Sequence, residues 1–372
     1  MRTSVLSVLC MVLLNGIAGT ATAQYGGMPM PPVMPHPTPP PSSPYTMTDL
    51  VGDMTGGGAQ VDPHLVNPWG LVAGPSTPWW IADNATGLST LYTGMGAVLP
   101  LVVTVPGAPT GIVFNGGTGF VIKSGSSSGP AAFIFATMSG VISGWSQDVP
   151  PPPLSTQVVT GADRSSVGAI YTGLAIASTA GGDQLYAADF HNARVDVFDS
   201  SFNLVSASSA FVDKKMPRRF APFGVQSING AIFVTYAKQD KNKTTDVPGA
   251  GRGFVDMFDT GGQLMGRVAG KGALNAPWGL ALAPSGFGTF SGDLLVGNFG
   301  NGTIHAYHQQ SNGHWRFHGA LRGSDGSVLR TEELWALSFG NGGLAGPTTT
   351  LYFTAGPNGG SHGRFGSIEL AG

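Results

Sequence analysis

Acidic and amide side chains recur at one kind of place in this 372-residue chain, directly after short apolar runs. Asp83 and Asn84 follow Trp80-Ile-Ala, Asp189 and Asn192 follow Leu185-Tyr-Ala-Ala, and Asn298 and Asn301 follow Leu294-Leu-Val-Gly. Gln239 with Asp240, and Asn358, stand in comparable turns. Such oxygens suit calcium, a hard cation that takes about six to eight of them. If the chain brings these turns together, Asp83, Asp189, Asp240 and Asn298 are the expected metal ligands. Asn84, Asn192, Gln239, Asn301 and Asn358 are then expected to contact a bound molecule. A cation there would polarise an ester or lactone carbonyl, with His191, in the turn after Asp189, as the expected base. The same side chains also close turns by bonding nearby backbone, and that plainer use stays open.

A second set is basic. Lys214, Lys215, Arg218 and Arg219 share one connection, while Lys238, Lys241, Lys243 and Arg252 lie in or beside a long turn. By strand count both segments emerge on the side of the polar turns. There they would attract an anionic small molecule, a polysaccharide or an envelope protein. Zinc-helix, nucleophile-elbow, phosphate-loop and EF-hand patterns are all missing from the sequence. With no nucleophile–base pairing to read, a non-catalytic binding or scaffold role is expected. A calcium-dependent hydrolase or lyase acting on lactones or esters is the alternative.

These residues need elements to position them, and the composition says which kind. The chain has 58 Gly and 28 Pro and only 10% charged residues. That suits short strands and tight turns, and it argues against long helices with charged wet faces. In Arg194-Val-Asp-Val-Phe198 the alternation of side chains marks a strand with one buried face. Gly-centred first strands recur as Pro68-Trp-Gly-Leu71, Pro109-Thr-Gly-Ile112, Tyr171-Thr-Gly-Leu174, Pro222-Phe-Gly-Val225, Pro277-Trp-Gly-Leu280 and Leu334-Trp-Ala-Leu337. Their centres, 70, 111, 173, 224, 279 and 336, are 41, 62, 51, 55 and 57 residues apart. Propeller repeats run about 40–50 residues, with longer loops accounting for the excess. The pattern predicts an all-β, six-bladed β-propeller over residues 46–372, expected to be a monomer. Thr46-Met-Thr-Asp-Leu-Val-Gly-Asp53 fits no repeat, and the last repeat lacks a fourth strand. Pairing one with the other would close the ring and cover two edges.

Arg2, the apolar run from Val5 to Ile17 and Ala21-Thr-Ala23 predict a signal peptide over residues 1–23, hence export. Cys10, the one cysteine, would leave with it, so no disulfide is expected. Residues 24–45 are Pro-dense and predict an extended linker. No later apolar run approaches membrane-spanning length. The net charge of −2 gives no bias toward nucleic acid.

Leu185 to Asp199 resembles the NHL repeat, close to "LYVAD-x-x-N-x-RV-x-VFD". The wider chain resembles a family of exported, mostly bacterial, NHL-like propeller proteins of unknown function. Leu65-Val-Asn-Pro-Trp-Gly-Leu71, Phe220-Ala-Pro-Phe-Gly-Val225, Asn275-Ala-Pro-Trp-Gly-Leu280 and Leu351-Tyr-Phe-Thr-Ala-Gly-Pro-Asn358 carry that resemblance. Some members end in a Pro-Glu-Pro sorting tail, which this chain lacks at Gly372, and the resemblance therefore implies release. More distantly the shape resembles calcium lactonases and virginiamycin B lyase, but no catalytic residue aligns.

Overall fold

The computed structural model describes residues 43–206 and 209–372, where the chain forms a six-bladed ring of antiparallel sheets. The expected signal peptide, and all but the last three residues of the expected linker, lie outside the described residues. Each blade starts at the axis, with a strand centred on Gly in blades 1 to 5 and on Ala336 in blade 6, and steps outward. Blade 1 runs Pro68–Val72, Trp79–Asp83, Leu88–Tyr92 and Val103–Thr104, and blade 2 runs Pro109–Phe114, Phe133–Thr137, Val141–Trp145 and Val159–Asp163. Blade 3 has Tyr171–Thr179, Gly182–Asp189 and Arg194–Phe198. Blade 4 has Phe220–Ile228, Ala231–Lys238, Gly253–Phe258 and Leu264–Gly270. Blade 5 has Pro277–Leu282, Leu294–Asn298, Ile304–Gln309 and Trp315–Ala320. The long interval in blade 2 is accounted for in part by an inserted hairpin, Val121–Ser124 with Ser127–Pro130.

Blade 6 combines both chain ends. Leu334–Phe339, Leu351–Ala355 and Arg364–Leu370 receive Tyr45–Gly52 as an antiparallel outer strand, with Met47 opposite Ile368. The strand begins one residue before the boundary expected at 46. Tyr45 explains that start: it is buried, its hydroxyl donates to the Phe287 carbonyl at 2.8 Å, and its ring lies parallel to Phe290. Ser43 adds a backbone N–H to Thr289 Oγ1 at 2.8 Å.

Between blades the core is apolar and aromatic. Tyr92, Trp145, Phe198, Phe258 and Tyr307, each near the end of a third strand, are all buried. Trp80 stacks on Phe133 of the next blade with centroids 4.0 Å apart. Near the axis the innermost strands approach too closely for side chains. A Cβ on Gly70 would stand 2.5 Å from the Thr110 carbonyl oxygen and 2.9 Å from Ile112 Cγ2 in blade 2. Among the described residues no helix is long and apolar enough to cross a membrane.

Candidate functional site

Strand direction places the starts of the innermost strands and the turns after the second strands at the same end of the axis. There Trp69, Thr172, Phe223 and Trp335 of the innermost strands meet Phe190, Thr244, Thr245, Asp246, Phe299, Gly359 and Gly360 of the turns. With Asn67, Met138 and Glu333 they enclose a cavity of about 200 Å³. Its floor is aromatic. Trp69 stacks on Trp335 at 3.6 Å between centroids, and Phe299 lies 4.2 Å from Trp335. Trp278 meets both tryptophans edge-on, held by its Nε1 donating to the Thr172 carbonyl at 2.8 Å. Beyond this layer only about 30 Å³ remains along the axis, between the innermost strands. The mouth is therefore a pocket with an aromatic base.

Six polar residues line it, Asn67, Thr172, Thr244, Thr245, Asp246 and Glu333. Asn67 is fixed, its Oδ1 accepting from Trp335 Nε1 at 3.1 Å and its Nδ2 donating to Asn84 Oδ1 at 3.2 Å. Glu333 Oε2 accepts the Gly360 N–H at 2.8 Å, and burial raises its pKa. Glu333 also holds a left-handed backbone (φ 54°), which a non-glycine residue adopts only when its surroundings enforce it. Burial, reinforced by the charge of Glu333, pushes the Asp246 carboxyl up to about 6. Asp246 Oδ2 and Trp69 Nε1 are both buried without a hydrogen-bond partner in the protein. Each such group costs roughly 1–3 kcal/mol and calls for an explanation.

The residues singled out from sequence sit elsewhere. Asp83 Oδ2 accepts from Thr90 Oγ1 at 2.8 Å inside blade 1, and complete burial raises its pKa well above the usual carboxylate range. Asp189 accepts from the backbone of Ile170 and Asn192, and from Asn192 Nδ2 at 2.7 Å. Asp240 closes its own loop through the Thr244 and Thr245 N–H groups. Asn298 accepts the Asn275 N–H at 2.9 Å and donates to the Ala273 carbonyl. These four side chains lie on four different blades, and each is engaged by groups close to it there. Asp83, Asp189 and Asp240 do not gather within 4.8 Å of one another, as Asp293, His308 and His318 do.

The others bond their own turns or the adjoining blade. Asn84 donates to the Pro109 carbonyl, Gln239 Nε2 reaches the Phe190 carbonyl at 2.5 Å, and Asn358 bonds Ser361 at 2.8 Å. Asn301 accepts from Thr303 and lines an adjoining groove of about 340 Å³ that shares Phe299 and Glu333 with the mouth. His191 does not line the mouth, and its Nδ1 is buried without a partner. The offset has a simple cause. At a strand end the residue whose side chain bonds the turn is followed by one facing the opposite way. The axis thus receives Phe190 after Asp189 and Phe299 after Asn298.

Lys214, Lys215, Arg218, Arg219, Lys241 and Lys243 are exposed, while Lys238 and Arg252 are half-buried. The Arg252 guanidinium is engaged by the Pro248 carbonyl at 3.0 Å. The two basic segments adjoin: the Gln239 N–H donates to the Arg219 carbonyl at 2.7 Å, and Lys238 pairs with Phe220. They flank the turn that delivers Thr244, Thr245 and Asp246 to the mouth.

Fold and site together define a six-bladed β-propeller with an aromatic-floored axial pocket. No family model matches the sequence. The chain belongs to the family of uncharacterized protein L690 of Acanthamoeba polyphaga mimivirus, 32% identical over 262 residues and covering 67% of each chain. It is also 32% identical to mimivirus protein R648, over 69% of this chain and 65% of that one. With mimivirus protein R640 it shares 31% identity, over 66% of this chain but 46% of the relative. These relatives are viral, so they do not show the exported bacterial family that the sequence resembles. Among solved structures, a protein of unknown function from Bacteroides thetaiotaomicron has a TM-score of 0.53 at 8% identity, covering 88% of this chain and 73% of that one. A glucose dehydrogenase has a TM-score of 0.51 at 14% identity, covering 88% and 99%. A streptogramin B lyase has 0.50 at 9%, covering 89% and 98%. At such identities the likeness concerns the fold alone.

Proposed function

We propose that this chain is a binding propeller whose axial mouth takes a small hydroxyl-bearing molecule, such as the terminal unit of a polysaccharide. One observation carries the reading: Trp69, whose Nε1 donor lacks a partner, and Asp246, whose Oδ2 acceptor lacks one, line the same cavity. A hydroxyl group accepts from the first and donates to the second, as a purely apolar or purely anionic ligand does not. The aromatic floor suits the apolar face of a ring. At about 200 Å³ the mouth is small beside the roughly 300–1,000 Å³ of drug-sized sites, which favours one ring at a time. The adjoining groove gives a longer chain somewhere to continue, and the flanking cations would favour acidic substituents. Export, supported by the N-terminal apolar run and Ala21-Thr-Ala23, belongs to the same reading, and N-terminal sequencing of the secreted protein would test it.

A second reading rests on the carboxyl groups. Asp246, at about 6 beside Glu333, is poised to exchange a proton near neutral pH, as a hydrolase or lyase of this mouth requires. A calcium-assisted version through Asp83, Asp189, Asp240 and Asn298 would need these side chains, held on four different blades, to be brought together. The two readings separate in one experiment. Full-length protein is screened against glycans, polyols and lactones by calorimetry, with product analysis after long incubation. Saturable binding without product supports the binding protein, and turnover whose pH profile breaks near 6 supports the enzyme. Neither binding nor turnover overturns both.

A further inference from the structure

Blade 5 carries a second cluster, away from the mouth. Asp293 precedes the second strand Leu294–Asn298, whose far end supplies Asn298 and Phe299 to the mouth side. Asp293 therefore lies at the opposite end of the blade. Leu294 pairs with Tyr307, which sets Asp293 beside His308 on the third strand. On the outer strand Gly319 pairs with Ala306 but Phe317 with Tyr307, so His318 is the extra residue of a β-bulge. Bulges re-aim side chains, and this one turns His318 onto the same carboxylate.

The carboxylate of Asp293 is wholly buried, with Oδ1 2.7 Å from His308 Nδ1 and Oδ2 2.5 Å from His318 Nδ1. The histidines are 57% and 40% exposed, so the cluster is closed on the protein side and open to solvent. The edge of Phe290 against His318, 5.3 Å between centroids at 86°, fixes that ring. Single His–Asp contacts occur elsewhere, at Asp62 with His64 and Asp53 with His362, each with one imidazole. Only here, among the described residues, do three such groups lie within 4.8 Å of one another.

We propose that Asp293, His308 and His318 bind a divalent transition-metal ion that staples the outer strand of blade 5 to its second and third strands. Two imidazole nitrogens and a carboxylate oxygen are ligands of the type that zinc and its neighbours take, with remaining positions open to water. Metal–ligand bonds of about 2.0–2.2 Å at tetrahedral angles put ligand atoms about 3.3–3.6 Å apart, so the half-exposed imidazoles must swing outward by up to about 1 Å to admit the ion. In the ion-free state each Nδ1–H donates to the carboxylate. On binding, each neutral ring carries its proton on Nε2 instead, and no net proton need be lost.

The test uses the full chain, stripped with chelator and titrated with Zn²⁺ by calorimetry and with Co²⁺ by visible absorption. One ion per chain is expected, with a rise in melting temperature that depends on ion concentration. His308→Gln and His318→Gln should each weaken binding about tenfold or more, while His314→Gln, in the same hairpin, leaves it unchanged. Both substitutions fall on half-exposed side chains, so circular dichroism of the variants should match wild type. No saturable binding means that the cluster is a hydrogen-bonded clasp and overturns the proposal. Binding that persists in the double variant His308→Gln/His318→Gln, or that depends on His314, overturns it equally.

Discussion

Asp189 and Asp246 are aspartates in the turns of adjoining blades, yet their oxygens are used differently. Asp189 accepts two hydrogen bonds from Asn192 in its own turn and one from the Ile170 N–H, whereas Asp246 Oδ2 is buried and accepts none. The difference predicts a pH signature. The Asp246 carboxyl titrates near 6 when folded against an ordinary 3.8, so the folded state binds more protons between those values. Its ionisation therefore removes stability as pH rises through 6. Asp246→Asn should stabilise the protein by about 2 kcal/mol at pH 8 and by little at pH 4, read from urea melts. His305 has the opposite sign. Burial lowers its pKa from 6.5 to about 4, so the unfolded state takes the proton first and stability falls as pH drops across that range. Relative to wild type, His305→Gln should gain about 2–3 kcal/mol between pH 7 and pH 4. The two terms partly cancel in wild type, and only the variants separate them. If both variants follow the wild-type pH curve, these burial assignments are wrong.

At the scale of strands and turns, much of the ring was legible. The recurrent Pro-x-Gly innermost strands and the aromatic near the end of five of the six third strands follow from crowding at the axis and packing between blades. Gly70→Val tests that crowding. Its Cβ would press on the Thr110 carbonyl, and a loss of about 2–3 kcal/mol in stability, read as a lower denaturant midpoint, is expected. An unchanged midpoint would mean that the strands can move apart. The pocket was less legible, because its residues are set by side-chain direction at strand ends. The sequence marks turns rich in Asp and Asn, but the pleat turns those groups into the turn and their neighbours toward the axis. One signal was available: Trp69, Trp278 and Trp335 occupy the same position in three innermost strands. Asp246 carried no such mark, since it lies within a long turn whose path depends on Asp240. His318 joins Asp293 only through a bulge, which no alternation pattern reveals.

For the whole molecule, closure of the ring couples the N-terminal strand to the last blade. Tyr45 is where that coupling concentrates, with its buried ring beside Phe287 and Phe290 and its hydroxyl on the Phe287 carbonyl. Tyr45→Ala should cost about 3–5 kcal/mol and raise amide exchange in both strands of the closing pair, Tyr45–Gly52 and Arg364–Leu370. A destabilisation without that local increase in exchange would place the weak point elsewhere. Closure also gathers six blades around one mouth, and the functional proposal rests on that convergence. Calorimetric titration of full-length protein with the best hydroxyl-bearing hit, compared across wild type, Asp246→Ala, Trp69→Phe and His191→Ala, tests it most directly. Losses of about tenfold or more, ~1.4 kcal/mol, are expected for the first two variants, with His191→Ala binding as wild type does. Unchanged affinity in both Asp246→Ala and Trp69→Phe would contradict the axial mouth as the binding site.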